Sequence, residues 1–289
     1  MSYDSMGDNE AEKRAIHDFF IHVTLPILIE EGGQFGIAAT GTLFKIAGRH
    51  FIITAAHTYD DFHPDRWHFP SHPRKGKIHT LGLAEYIHPS SNKDSLDIAA
   101  VELKDPESVA ILEENWRFLT LDNVWLPDYS ADAVIVAGYP SVRARFDETD
   151  SNLYAKIFIV RQKLRTETPE ATLHDGLTKG VDFFIDYQDA VNEYTGEEIS
   201  KVSVRGLSGC SVWGYRKRGW TRHVFWSPEV PLKVIGIQSA ARQSDYLRAK
   251  SWGAIIQLLR LLDSEVRDQA DQAAENILAK LSADREQRT

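Results

Sequence analysis

From about Leu25 to Ala241 the chain is a series of short β-type runs punctuated by Gly, Pro, Asn and Asp. The clearest runs are Thr42–Ile46, Phe51–Ala55, Ile98–Leu103, Ala133–Ala137, Ile157–Val160, Val181–Ile185, Ser211–Tyr215 and Leu232–Ile237. No ten-to-fifteen-residue helical pattern alternates with these runs, which argues against a parallel sheet built from βαβ units. Short strands in such number pack as antiparallel barrels or sandwiches. With 289 residues the chain can hold one large domain or two smaller ones, and either has ample core to fold unaided.

The texture differs at both ends. Residues 9–20 carry Ala11, Ala15, Ile16, Phe19 and Phe20 at helical spacing and predict a short helix. From Ala254 to about Arg285 there is no Pro or Gly. Apolar residues there recur at Ile255, Leu259, Leu262, Val266, Ala273, Ile277 and Leu281, which predicts a longer amphipathic helix. Two uses of that helix stay open: it packs on its own barrel, or its half beyond Asp263 docks a regulatory partner or a second copy.

Charge and cysteine content narrow the function classes. The formal net charge is −9 and the isoelectric point about 5.7. Phosphate backbones are bound by basic faces, so a dedicated nucleic-acid binder is disfavoured. The lone Cys210 leaves no intramolecular disulfide to form, which fits a reducing compartment. The N-terminal MSYDSMGDNEAEKR has no apolar core and does not read as a signal peptide. No apolar run approaches the ~18–20 residues that span a bilayer. A cytoplasmic protein without membrane or nucleic-acid partners is the expectation.

Three segments carry chemistry. Thr54-Ala-Ala-His57 puts a histidine after a strand and two small residues. Asp97-Ile-Ala-Ala-Val101 puts an aspartate at the mouth of an apolar strand, and Gly206-Leu-Ser-Gly-Cys-Ser-Val-Trp213 puts a serine between glycines. A serine hydroxyl needs a base to become a nucleophile near neutral pH. A neutral imidazole suits that task, and a carboxylate on its other nitrogen fixes the tautomer and steadies the imidazolium. The amides of Gly206 and Ser208 can hold a developing oxyanion, at about 3–4 kcal/mol per donor. Asp94 is the fallback acid, in the polar loop 90–95.

Each segment alone is a weak signal; in the order His, Asp, Ser within an all-β pattern they are a strong one. On these residues, with Val136-Ala-Gly-Tyr-Pro140 and Val234-Ile-Gly-Ile-Gln-Ser239, the chain resembles the trypsin/chymotrypsin-like serine peptidases over about residues 24–260, above all their disulfide-free bacterial branch. The resemblance implies an all-β fold of two six-stranded antiparallel barrels, residues 23–125 with His57 and Asp97 and residues 126–251 with Ser208. Residues 1–22 and 252–289 would be the flanking tail and helices. It implies a serine endopeptidase that needs no cofactor and no metal, with a protein or peptide as its substrate. An α/β-hydrolase elbow fails because position 210 is Cys rather than Gly and the acid and base would have to follow Ser208. A viral-type cysteine peptidase on the same fold would need its cysteine at position 208.

The sequence also departs from the family. Leu207 stands where digestive members carry an Asp that pairs with a newly cut N-terminus, so activation by cleavage is not expected. Cys210 reads as a small buried hydrophobe, with redox sensing near the site as the sharper alternative. By the resemblance, the P1 side chain is read by Val202 and by the wall strand Ser239-Ala240-Ala241. An uncharged P1 residue of small or medium size is expected, and the same strand would pair with the substrate backbone. His63, His68 and His72 read as part of a solvated loop, because Pro64, Pro70 and Pro73 break any helix that would align them on a metal. Two rival functions stay open: a vestigial module that binds peptides or partners, and a peptidase effector switched on by a partner in a bacterial stress or defence system.

Overall fold

The computed structural model describes residues 4–89, 96–127, 131, 133–147, 152–172, 176–188, 190–192, 198, 203–216 and 227–286. Helix α1 (Asp4–Val23) leads into β1 (Thr24–Glu31), β2 (Gln34–Ile46) and β3 (Arg49–Thr54), followed by the short α2 (His57–Asp61). Next come β4 (His68–Pro70), β5 (Ile78–Thr80), β6 (Ala84–Ile87), β7 (Ala99–Leu103) and α3 (Pro106–Asn115). The second half contributes β8 (Ala133–Gly138), β9 (Ala144–Asp147), β10 (Asn152–Ala155), β11 (Phe158–Gln162) and β12 (Asp182–Asp186). It continues with β13 (Ser211–Tyr215), β14 (Leu232–Arg242), β15 (Tyr246–Ser251), α4 (Trp252–Leu259) and α5 (Ser264–Glu286).

The strands form two curled antiparallel half-barrel sheets, which bears out the all-β double-barrel expectation. The first has seven strands in the order β5-β4-β1-β2-β3-β7-β6, the second six in the order β11-β8-β13-β14-β15-β12, and β9–β10 make a separate ribbon. The seventh strand arises where a loop was expected. His68 and His79 lie in a small antiparallel pair, with Phe69 opposite His79, that extends the first sheet at β1.

Several strands are buried on both faces, which is why they read as continuous apolar runs rather than alternating ones. In β8, Val134 and Val136 point into the core of the second sheet. Ile135 and Ala137, one residue out of phase, point into the shared core between the sheets and helices. That shared core also takes Phe44, Phe51, Trp213, Ile237 and Trp252. Helix α1 closes one side of it: Phe19 and Phe20 meet Trp213 edge-on at 5.5 and 5.2 Å, each contact contributing about 0.5–1.5 kcal/mol beyond burial. Tyr215 donates its hydroxyl to Glu12 at 2.5 Å, tying the same helix to the second sheet.

Helix α3 was not expected. Its signal is local: Asp105 caps the Ser108 amide at 2.8 Å and Pro106 occupies the first turn. The C-terminal helix is two helices rather than one. Leu261 and Leu262 donate back three residues, tightening the end of α4. Asp263 then accepts from the amides of Glu265 (3.1 Å) and Val266 (3.3 Å) and starts α5. The apolar stripe of α5 packs on the chain itself: Val266, Ala270 and Ile277 are buried in the shared core, with Leu281 against it. Of the two uses considered for this segment, the fold displays packing on its own barrel. Among the described residues, no helix is long and apolar enough to cross a membrane.

Candidate active site

The site is built where the middle of β2 and the end of β3 meet the turn before β13. His57 opens α2, one turn after β3 ends at Thr54, and Asp97 stands two residues before β7, the strand paired with β3. The pairing of Thr54 with Ala99 therefore sets the two side chains beside each other. His57 Nδ1 lies 3.0 and 2.9 Å from the two Asp97 carboxylate oxygens, and the His57 backbone amide donates to Asp97 Oδ1 at 3.0 Å. That second bond fixes the carboxylate independently of the ring. Asp97 adopts φ 42°, a left-handed conformation that side-chain-bearing residues other than Asn, Asp and His rarely take. The His57 side chain is 40% exposed and that of Asp97 15%. The pair is thus open on the imidazole side and sheltered on the carboxylate side.

The Asp97 hydrogen bond raises the His57 pKa above its ordinary 6.5, against a lowering by burial. Its Coulombic attraction and those of Asp61 and Asp60 raise it further. Tyr86, which no sequence pattern singled out, donates to the Ala56 carbonyl at 3.2 Å and stacks on Tyr59 at 3.6 Å. It braces the turn that carries His57.

Ser208 is held against the first sheet by its neighbours. Thr40 of β2 donates its amide to the Ser208 carbonyl at 2.9 Å and its hydroxyl to the Gly206 carbonyl at 2.8 Å. Thr42, two residues along the same strand, meets Ser211 oxygen to oxygen at 2.5 Å. Gly209 lies so close to the first sheet that a Cβ there would stand 2.0 Å from Thr54 Oγ1, 2.5 Å from the Thr40 carbonyl and 2.7 Å from the Ala55 amide, and its φ is +82°. Ser208 thus precedes a residue packed on Ala55, two positions before His57. Among the described residues no hydrogen bond joins His57 to Ser208, and both His57 Nε2 and the half-buried Ser208 Oγ lack a protein partner. Such bonds commonly tighten only when substrate is bound.

The close approach at Gly209 makes a prediction. Gly209→Ala should destabilise by about 1–3 kcal/mol from overpacking, with the left-handed φ adding to it. Thermal unfolding of the purified variant checks this, and an unchanged Tm would mean that the turn does not dock on the first sheet in this way.

Ser239-Ala240-Ala241, expected as a wall strand, lie in β14. β13 pairs with β14 only as far as Ser211 opposite Ile237, whereas β14 runs on to Arg242 against β15. One edge of Ser239–Arg242 is therefore without a strand partner among the described residues. Ser239 is buried, Ala240 exposed and Ala241 half-buried. Val202, expected in the specificity pocket, lies outside the described residues, as does the fallback acid Asp94. Leu207 and Cys210 are fully buried in the second core, and burial pushes the Cys210 thiol pKa far up, so that it carries little thiolate. Near Asp97, Lys250 and Arg248 share the buried carboxylate of Asp182, each at 2.7 Å. The attraction of Asp97 is felt at Lys250, whose pKa is lowered chiefly by burial.

No protein-family model matches the chain, and no curated protein matches it. Among the solved structures that resemble it is one concerned with aromatic interactions that drive the coupled folding and binding of the intrinsically disordered Sesbania mosaic virus VPg protein. It is 15% identical, with a TM-score of 0.45, over 84% of this chain and 91% of that one.

Proposed function

We propose that this chain is a serine endopeptidase that works in a reducing compartment, with Ser208 as nucleophile, His57 as base and then acid, and Asp97 as the group that orients His57. The observation that carries this reading is the His57–Asp97 pair, with Nε2 left over, at the point where Gly206-Leu-Ser-Gly209 docks on the first sheet. Ser208 Oγ attacks the scissile carbonyl carbon as its proton passes to His57 Nε2. The carbonyl π electrons move onto oxygen, which the Gly206 and Ser208 amides receive. The tetrahedral species collapses, the C–N bond breaks, and the leaving amine takes the proton from His57. Water then hydrolyses the Ser208 ester by the same proton route. No step calls on a group from outside the chain other than substrate and water.

The unpartnered edge of Ser239–Arg242 supports an extended substrate lying as an added strand. The small side chains of Ala240 and Ala241 support a P1 residue that is uncharged and of small or medium size. A proteome-derived peptide library tests both statements at once. The wild-type chain should create new termini with Ala-, Val- or Leu-sized residues at P1, and Ser208→Ala should create none. A preference for Arg or Lys would refute the P1 reading alone. No cleavage anywhere in the library would turn the reading towards a peptide-binding module.

A further inference from the structure

We propose that the hydroxyl of Thr40 is the positioning group that sets the oxyanion-binding face of the 206–208 turn, so that the site is assembled by contact between the two sheets rather than by chain cleavage. This role rests on the peptidase reading above and adds to it how the site is switched on.

Every backbone polar group of the turn must find a partner when buried. The Arg205 carbonyl accepts from the Ser141 amide at 2.8 Å. The Gly206 carbonyl accepts from Thr40 Oγ1 at 2.8 Å. The Leu207 carbonyl accepts from the Cys210 amide at 2.9 Å, and the Ser208 carbonyl from the Thr40 amide at 2.9 Å. Four successive carbonyls are therefore held. Of the amides, that of Leu207 donates to the Val204 carbonyl (3.0 Å) and that of Gly209 to the Gln238 carbonyl (2.8 Å). Those of Gly206 and Ser208 have no acceptor among the described residues. In a trans peptide the N–H and C=O point in opposite directions. Anchoring the carbonyls of Arg205 and Leu207 thus turns the Gly206 and Ser208 amides away from those anchors, as a pair of donors.

Thr40 is the hub of this arrangement. Its hydroxyl also accepts from the Tyr139 amide at 3.0 Å. An amide can only donate, so the hydroxyl proton is committed to the Gly206 carbonyl. Through Tyr139 the same oxygen steadies the Tyr139-Pro140-Ser141 segment, whose Ser141 amide holds the Arg205 carbonyl. Thr54 in turn donates its hydroxyl to the Thr40 carbonyl at 2.9 Å, and all of these threonine atoms are buried. One side chain of the first sheet thereby holds the Gly206–Leu207 peptide plane directly and, through Tyr139 to Ser141, braces the anchor of the Arg205–Gly206 plane before it. Among the described residues the partners of the turn all lie inside the chain, and Leu207, fully buried among apolar side chains, offers no carboxylate to receive a cut terminus.

Three variants test this, two that disturb the turn by independent routes and one that keeps the hydroxyl. Thr40→Val keeps the shape and loses the hydroxyl, whereas Thr40→Ser keeps the hydroxyl. Ser141→Pro fits the backbone at the first position of a 3₁₀ turn, after an extended Pro140, but removes the amide that holds the Arg205 carbonyl and sets the ring Cδ against that oxygen, so it displaces the anchor by a route that leaves Thr40 intact. The readouts are the second-order rate of labelling by a fluorophosphonate, kcat and KM for a p-nitrophenyl ester, and hydrogen exchange across 204–211. Thr40→Val and Ser141→Pro should each lower kcat and the labelling rate about 10- to 100-fold with KM within about threefold, below the 10²–10³ seen when an oxyanion donor is removed outright. Exchange across 204–211 should speed up in both, and Thr40→Ser should stay near wild type in every readout. Wild-type rates and exchange in both Thr40→Val and Ser141→Pro, or a Thr40→Ser protein as impaired as Thr40→Val, would overturn the inference while leaving the peptidase reading intact. A wild type that neither labels nor hydrolyses, yet whose 204–211 exchange still responds to valine and proline but not to serine, would overturn the peptidase reading and leave the positioning role standing.

Discussion

Ser208→Ala is expected to lower kcat by a factor on the order of 10⁶, as removal of the nucleophile does in enzymes whose three groups act as a unit. The change should be almost purely chemical. Ser208 Oγ has no hydrogen bond among the described residues, so its loss leaves no buried group without a partner. The contact that places residue 208 is the bond from the Thr40 amide to the residue 208 carbonyl, which alanine keeps. Stability should therefore change by less than about 1 kcal/mol. Peptides that the wild type cleaves should still bind the variant, because the unpartnered edge of Ser239–Arg242 is untouched. Stopped activity with retained peptide affinity, measured by anisotropy, is the expected pair of results. Retained activity would mean that another group is the nucleophile.

Asp97→Asn should cost about 10⁴ in kcat, because an amide at that position stabilises the wrong tautomer of the ring. It should also move the pH profile. His57 must be neutral to take the Ser208 proton, so activity is lost as pH falls through the folded-state pKa of His57. That pKa is raised above 6.5, with the Asp97 hydrogen bond as its largest cause. The acid limb of the wild-type profile should accordingly have its midpoint above 6.5. In Asp97→Asn the hydrogen bond to a carboxylate and its Coulombic attraction are both gone, while burial still lowers the pKa. The midpoint should move to lower pH even as the plateau falls. An acid limb that does not move would mean that His57 is not the titrating base.

The strands that could be read from the sequence are those with β-branched or aromatic residues held between sheet neighbours, such as Ala133–Ala137 and Ser211–Tyr215. The β4–β5 pair could not be read. Three residues to a strand is too short for alternation to register, and the prolines of that segment mask it. Periodicity alone could not divide the C-terminal helix either, since Leu259 and Leu262 keep the apolar spacing across the break. The break is made by Asp263 capping the next helix. Of the proposed site, His57, Asp97 and Ser208 can be picked out in the sequence because each sits in a local pattern of small residues or glycines. The parts that join them were not. Thr40 lies 166 positions from Gly206, and Tyr86 lies 30 from Ala56, so their roles exist only as tertiary contacts.

The most direct measurement is the mass of the adduct formed when the purified chain meets a fluorophosphonate, followed by mapping of the modified residue. One adduct per chain, on the peptide containing Gly206-Leu-Ser-Gly209 and at Ser208, slowed by protonation of His57 and absent from Ser208→Ala, is the predicted result. An unmodified chain, or an adduct on Ser211 or elsewhere, would contradict the assignment of Ser208 as the activated nucleophile.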